Sequence, residues 1–130
     1  MRKKSIIKDL SSCEKVIMKA VWDSKGDIST QDLIERLRND YNKDYARTTV
    51  VTFVQRLVEK KFVSTYRKGR LSYVHAEKRE KDYKKKLLSE TTDFWFKGDA
   101  SDLVSALCNS KKISKTEIER IRKTIDELDD

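Results

Sequence analysis

The chain has 130 residues, of which 40% are charged and only 37% hydrophobic, so it holds material for thin cores in one domain or two small ones. No apolar stretch approaches the roughly 20 residues needed to span a bilayer, and the N-terminal MRKKSIIKDL is basic without the sustained apolar segment of a signal peptide. A soluble, cytoplasmic protein without direct membrane insertion is therefore expected. Charge is unevenly placed: residues 1–76 hold 17 Lys and Arg against 9 Asp and Glu, whereas residues 77–130 hold 13 of each. The whole net charge of +8 therefore lies in the first part and assigns polyanion binding to it.

There is no proline, and the three glycines, Gly26, Gly69 and Gly98, fall where the hydrophobic period breaks. Before Gly26, Ser11 and Glu14 form a capping-box pattern ahead of Val16, Ile17, Ala20 and Val21, which predicts a first helix ending near Lys25. Ser29 caps a second helix with Leu33, Ile34 and Leu37 as its buried stripe and Ile28 and Leu33 spaced as a hydrophobic staple. In a third helix, Val50, Phe53, Val54 and Leu57 share one face, and Arg47, Thr48, Val51, Thr52 and Gln55 share the other. Short polar and methyl-bearing side chains suit base edges in a major groove better than bulk solvent, and Arg56 lies to the side, placed for a phosphate. For an isolated helix a merely solvated face would be the preferred reading, but the neighbouring hairpin shifts the balance. Two β-rich runs, Phe62–Tyr66 and Leu71–His75, flank the loop Arg67-Lys68-Gly69-Arg70, whose three cations surround one glycine. A basic hairpin tip after a reading helix is a wing.

Beyond the wing, Glu77–Phe96 reads as a long charged helix with Tyr83, Leu87, Thr91, Phe94 and Trp95 at spacings of three and four, too few to fold alone. A shorter helix, about Ser101–Cys108, carries Leu103, Val104 and Leu107. The last begins at Ser114, with Glu117 completing a capping box, and its stripe of Ile118, Ile121, Ile125 and Leu128 has coiled-coil-like spacing. These helices are expected to pair with a second copy. The expected fold is mostly α with a small antiparallel β-hairpin: a winged helix-turn-helix over residues 1–76 and a helical dimerisation unit over 77–130.

Catalytic and metal constellations are missing from the pattern. His75 stands at a strand end with no second imidazole or nearby cysteine, so it is read as structural, and neither metal nor cofactor is expected. No phosphate-binding glycine loop or nucleophile elbow occurs, which argues against an enzyme. Lys84-Lys85-Lys86 reads as a solvated helix face. Cys13 and Cys108 read as buried thiols in a reducing compartment.

The segment Thr49-Val50-Val51-Thr52-Phe53-Val54-Gln55-Arg56-Leu57, the following Glu59-Lys60-Lys61-Phe62-Val63 and the wing ending Arg70-Leu71-Ser72-Tyr73-Val74 resemble the penicillinase-repressor family. That family includes the β-lactamase and methicillin-resistance repressors and the related copper repressors. The likeness runs from Trp22-Asp23 to the Phe96-Lys97-Gly98-Asp99 joint and the Leu103-Val104 helix; it lies in order and spacing rather than in one diagnostic motif. It implies a homodimer of winged helices with an intertwined C-terminal unit, bound to a palindromic double-stranded operator of resistance-type genes. It also implies relief of repression through a membrane sensor protease pathway, by cleavage at a bond that here falls at about Ala106-Leu107, where relatives with a known cut have Asn-Phe. The paired C-x-C motifs of the copper branch are missing, and Val51 stands where relatives often place a basic residue.

On this reading Thr48, Thr49, Val51, Thr52 and Gln55 meet base edges, while Arg47, Arg56, Arg67, Lys68 and Arg70 neutralise phosphates. Tyr83, Leu87, Phe94, Trp95, Leu103, Val104, Leu107, Ile118, Ile121, Ile125 and Leu128 form the dimer seam. Two other classes compete: a protein-interaction module whose basic wing meets an acidic partner, and a regulator sensing a small molecule near Tyr83, Phe94 and Trp95.

Overall fold

The computed structural model describes residues 10–128; residues 1–9, which hold the basic N-terminal run, and residues 129–130 lie outside the described residues. The order of elements is α1 (Ser12–Asp23), β1 (Ile28–Ser29), α2 (Thr30–Tyr41), α3 (Arg47–Glu59), β2 (Val63–Lys68), β3 (Leu71–Ala76), α4 (Glu80–Trp95), α5 (Ala100–Ser110) and α6 (Lys115–Glu127). Two compact units divide after Leu87, inside α4. The mostly helical fold class with a small antiparallel sheet is the one expected. β1 is an addition to the expected hairpin.

In the first unit each helix starts where a side chain can satisfy its free amides. The Ser11–Glu14 capping box forms, with the Ser11 hydroxyl accepting from the Glu14 amide at 3.2 Å and Glu14 Oε1 accepting from the Ser11 amide at 2.8 Å. Ser29 caps α2 by accepting from the Asp32 amide at 3.1 Å. α3 ends in a Schellman motif: the Phe62 amide reaches the Leu57 carbonyl at 2.9 Å, the Lys61 amide reaches Val58 at 3.0 Å, and Lys61 takes the left-handed conformation at φ 67°. The motif turns Phe62 inward, where it and Leu57 are fully buried, and Phe62 thus precedes the strand it was expected to begin.

The hydrophobic stripes of α1, α2 and α3 meet in one core, with Ile17, Met18, Leu33, Leu37, Val50 and Leu57 all fully buried. Val63 and Val74 seal it from the sheet. Phe53, expected on the buried face of α3, is only partly buried and packs at the rim against Tyr45, with ring centroids 6.4 Å apart. The sheet order is β1-β3-β2, antiparallel throughout. Ile28 and Ser29, which precede α2, pair with Val74 and Tyr73. A two-residue strand has no periodicity to announce it.

The hairpin register pairs Lys68 with Leu71, so Gly69 and Arg70 alone make the turn, and Gly69 at φ 65° supplies the positive dihedral of a II′-type connection. Arg67 and Lys68, expected in the loop, belong to β2. The base of the wing is clamped by Asp27: Oδ2 accepts from the Tyr66 hydroxyl of β2 at 2.6 Å, and Oδ1 lies 2.8 Å from His75 Nδ1 of β3. The hydrogen bond to Asp27, with that carboxylate's charge, holds the His75 pKa above its ordinary value. Tyr66 first and His75 second hold the Asp27 pKa low.

Glu14, 1% exposed, is the one buried charged residue among the described residues, and its Oε1 also accepts from Lys60 Nζ at 2.6 Å. Burial alone would raise its pKa, but the bonds from Lys60 and Ser11 outweigh it, and the net shift is downward. The start of α1 is thereby locked to the end of α3. The first turns of α4 also belong to this unit, since Tyr83 is 9% exposed and its ring lies 5.6 Å from both Trp22 and Phe62. The Trp22 indole donates to the Lys78 carbonyl at 2.8 Å, and Lys19 pairs with Glu80 at 2.6 Å.

In the second unit, Asp99 caps α5 by accepting from the Ser101 amide at 2.9 Å, and Ser114 with Glu117 forms the expected capping box of α6. Neither helix has a buried residue. Phe94 is 75% exposed, Trp95 72% and Leu128 79%. Cys108, expected to be buried, is exposed because α5 packs no apolar face into a core among the described residues, and Cys13 is half-buried.

Lys60→Met is expected to cost about 1.5–3 kcal/mol in denaturant unfolding, the scale of a hydrogen bond to a charge. The contribution of Glu14, whose folded pKa is depressed, should be present above the ordinary carboxyl pKa of about 4.3 and be lost as pH falls through the folded value. His75 carries the opposite sign: with its folded pKa raised, its pairing with Asp27 stabilises fully below about pH 6.5 and fades as pH rises through the folded pKa. The native protein should therefore lose stability relative to His75→Gln as pH rises above about 6.5; parallel curves would show that the pair contributes nothing.

Candidate nucleic-acid interface

The exposed face of α3 presents Arg47, Thr48, Val51, Thr52, Gln55 and Arg56, while Val50, Val54 and Leu57 anchor the helix from behind. Thr49, expected among the base-facing residues, is half-buried at the flank. The Thr52 hydroxyl donates to the Thr48 carbonyl one turn back at 2.9 Å, a bond that occupies its proton within the helix. Val51 is 39% exposed, an apolar side chain held in water by the packing of the opposite face.

The N-terminus of α3 carries no side-chain cap. Its N-cap, Ala46, offers no side-chain hydrogen bond and the first turn holds no acidic residue, so the first-turn amides and the helix dipole stay uncompensated by side chains. Arg47 beside them is held by Gln31 of α2, whose Oε1 accepts from the guanidinium at 3.2 Å. Gln31 in turn donates to Glu35 at 3.2 Å. Tyr45 fixes the chain just before the helix: its hydroxyl donates to Cys13 Sγ at 3.4 Å, a bond that raises the tyrosine pKa. Arg56, expected to reach a phosphate, lies over the Phe53 ring, 5.2 Å from its centroid, which restricts its rotamers.

On the wing, Arg67, Lys68 and Arg70 are all exposed. Arg67 bends back to donate to the Arg70 carbonyl at 3.4 Å, bracing the tip. Tyr66 and Tyr73 stack across the strands with centroids 5.5 Å apart, and the Thr30 hydroxyl at the start of α2 donates to the Ser72 carbonyl at 3.3 Å. A cationic tip thus stands on a hairpin tied to α2 and to Asp27. Reasoning from the sequence missed Gln31 and Asp27. A glutamine on a polar helix face and an aspartate in a turn carry no local signal of a distant partner.

Of the residues expected at a dimer seam, Tyr83 and Leu87 lie in the first unit, Tyr83 within its core and Leu87 42% exposed. Phe94, Trp95, Leu103, Val104, Leu107, Ile118, Ile121, Ile125 and Leu128 lie in the second unit. Ala106 and Leu107 are exposed in the body of α5. Among the described residues no cluster of three or more potential ligands could hold a metal ion, and no helix is long and apolar enough to cross a membrane.

The DNA-binding domain of the repressor BlaI in solution has a similar fold: identity is 26%, the match covers 64% of this chain and 94% of that one, and the TM-score is 0.51. Weaker likenesses, both at TM-score 0.48, do not bear on the assignment. One is the monomeric form of Bacillus licheniformis BlaI in complex with the blaP half-operator, 26% identical over 64% of this chain and 94% of that one. The other is BpsR of Bordetella bronchiseptica, 17% identical over 98% of this chain and 86% of that one. No curated protein sequence matches the chain. The family described as penicillinase repressor matches residues 10–127, nearly every described position. The chain belongs to the penicillinase-repressor family, a family of DNA-binding transcriptional repressors.

Proposed function

We propose that the protein represses transcription as a homodimer occupying a palindromic operator, with the winged helix of residues 1–76 reading DNA and the helices of residues 77–130 pairing the subunits. The observation that carries this reading is the combination of an outward α3 face rich in short polar and methyl groups with an exposed cationic wing. Thr48, Val51, Thr52 and Gln55 would meet base edges, with Thr49 at their flank. Methyl groups favour thymine, and Gln55 can bond adenine through two parallel hydrogen bonds. Arg47, Arg67, Lys68 and Arg70, with Arg56 from its place over Phe53, would neutralise phosphates. The exposed apolar side chains of the second unit support pairing, because a stripe such as Ile118, Ile125 and Leu128 is unfavourable in water.

Control of resistance-type genes, a cytoplasmic location and relief of repression by cleavage near Ala106-Leu107 are part of the same proposal, and membership of the family supports them. Ala106 and Leu107 are accessible, but they sit inside α5, so a protease would need to unwind that helix to reach the bond. The chain is not an enzyme on this reading.

Selection of duplex DNA from a random pool should return a dyad-symmetric site with half-site centres about 10 bp apart or a multiple of it. Enrichment without dyad symmetry would exclude the dimeric operator, and failure to enrich any sequence would favour an acidic protein partner. On the selected site, the logarithm of affinity should fall with the logarithm of salt by about 0.9 per phosphate neutralised. Arg70→Ala should weaken all sequences alike and reduce that slope by about one per wing engaged. Gln55→Ala should instead cost about 1–3 kcal/mol at one base pair and relax selection there alone. A uniform loss from Gln55→Ala would remove it from base reading.

A further inference from the structure

α1 and the first turns of α4 enclose an apolar groove of about 240 Å³ that takes no part in the proposed DNA interface. Its floor is Leu10, Trp22, Tyr83 and Leu87, with the Trp22 and Tyr83 rings tilted at 39° to each other. Its rim is cationic. Lys15, Lys19 and Lys84 stand there with a single carboxylate, Glu80. Lys19 and Lys84 already pair with that carboxylate at 2.6 and 3.7 Å, and Lys19 also lies 3.6 Å from Asp23. Lys15 has no ion-pair partner among the described residues.

We propose that this groove is a binding site for a small aromatic carboxylate, its ring seated between Trp22 and Leu87 and its charge met by Lys15. Size sets the class: drug-sized ligands occupy about 300–1,000 Å³, so the groove suits a single-ring molecule rather than a peptide. Chemistry sets the sign, since an apolar floor supplies most of the contact and the excess rim charge is positive and concentrated on Lys15. A cationic ligand of the same shape would face three ammonium groups and one carboxylate that is already paired. The inference does not depend on the operator reading. Its residues are not those assigned to DNA, and its test contains no DNA.

The test is a titration of the full-length ¹⁵N-labelled chain with benzoate and, separately, with benzylamine, followed by amide and indole resonances. The Trp22 indole N–H, bonded to the Lys78 carbonyl at the edge of this region, is a reporter. Benzoate should produce saturable shifts at Trp22, Tyr83 and Leu87, benzylamine should not, and Lys15→Glu should weaken benzoate about tenfold while leaving the remaining spectrum in place. Absence of saturable benzoate shifts, or equal shifts with benzylamine, overturns the proposal. Benzoate binding that appears only after deletion of residues 2–9 also overturns it, because the groove would then belong to the chain's own N-terminal segment.

Discussion

The first unit depends on one buried carboxylate. Glu14 closes the capping box of α1 and, through the same oxygen, holds Lys60 at the end of α3. Lys60 is followed by the left-handed Lys61 and then by buried Phe62, so the position of this ammonium group is coupled to the Schellman turn that carries the chain from α3 into the wing. A charge so fully buried would be costly without partners, but the amide of Ser11 and the ammonium of Lys60 supply them. α1, α3 and the start of the hairpin are thereby held in one arrangement.

The wing has its own tether at Asp27, outside the core. Its carboxylate reaches one residue on each strand of the hairpin, Tyr66 and His75, and the adjoining Ile28 and Ser29 add a third strand. An isolated two-stranded hairpin is marginal in water, and the added strand and this clamp reinforce the anchor that Val63 and Val74 give at its base, so that a tip bearing three cations can be exposed. The mutual repulsion of Arg67, Lys68 and Arg70 is tolerated because all three remain solvated.

The second unit inverts this pattern of burial. α5 and α6 have well-formed caps and amphipathic sequences but no buried residue. Large apolar side chains such as Phe94, Trp95 and Leu128 each stand to contribute about 1.5–3 kcal/mol when covered. Local rules are sufficient to start and stop these helices, and the exposed apolar side chains are what the proposed dimer would cover.

What the sequence determined by itself was everything encoded within one or two turns of chain. The capping boxes at Ser11 and Ser114, the cap at Ser29, the inward stripe of Val50, Val54 and Leu57, and the glycine of the wing turn all form as their spacing requires. The outward face of α3 was legible for the same reason, because a 3.6-residue period sorts buried from exposed positions without knowledge of the partner. Tertiary structure decided the contacts between residues far apart in sequence. Lys60 meets Glu14 across 46 positions, Asp27 meets His75 across 48, and Gln31 meets Arg47 across 16. Tyr83, with an apolar spacing that fitted a dimer seam equally well, is claimed by Trp22 and Phe62 instead. Periodicity identifies which face of a helix is buried, but it carries no information about the surface that face will meet.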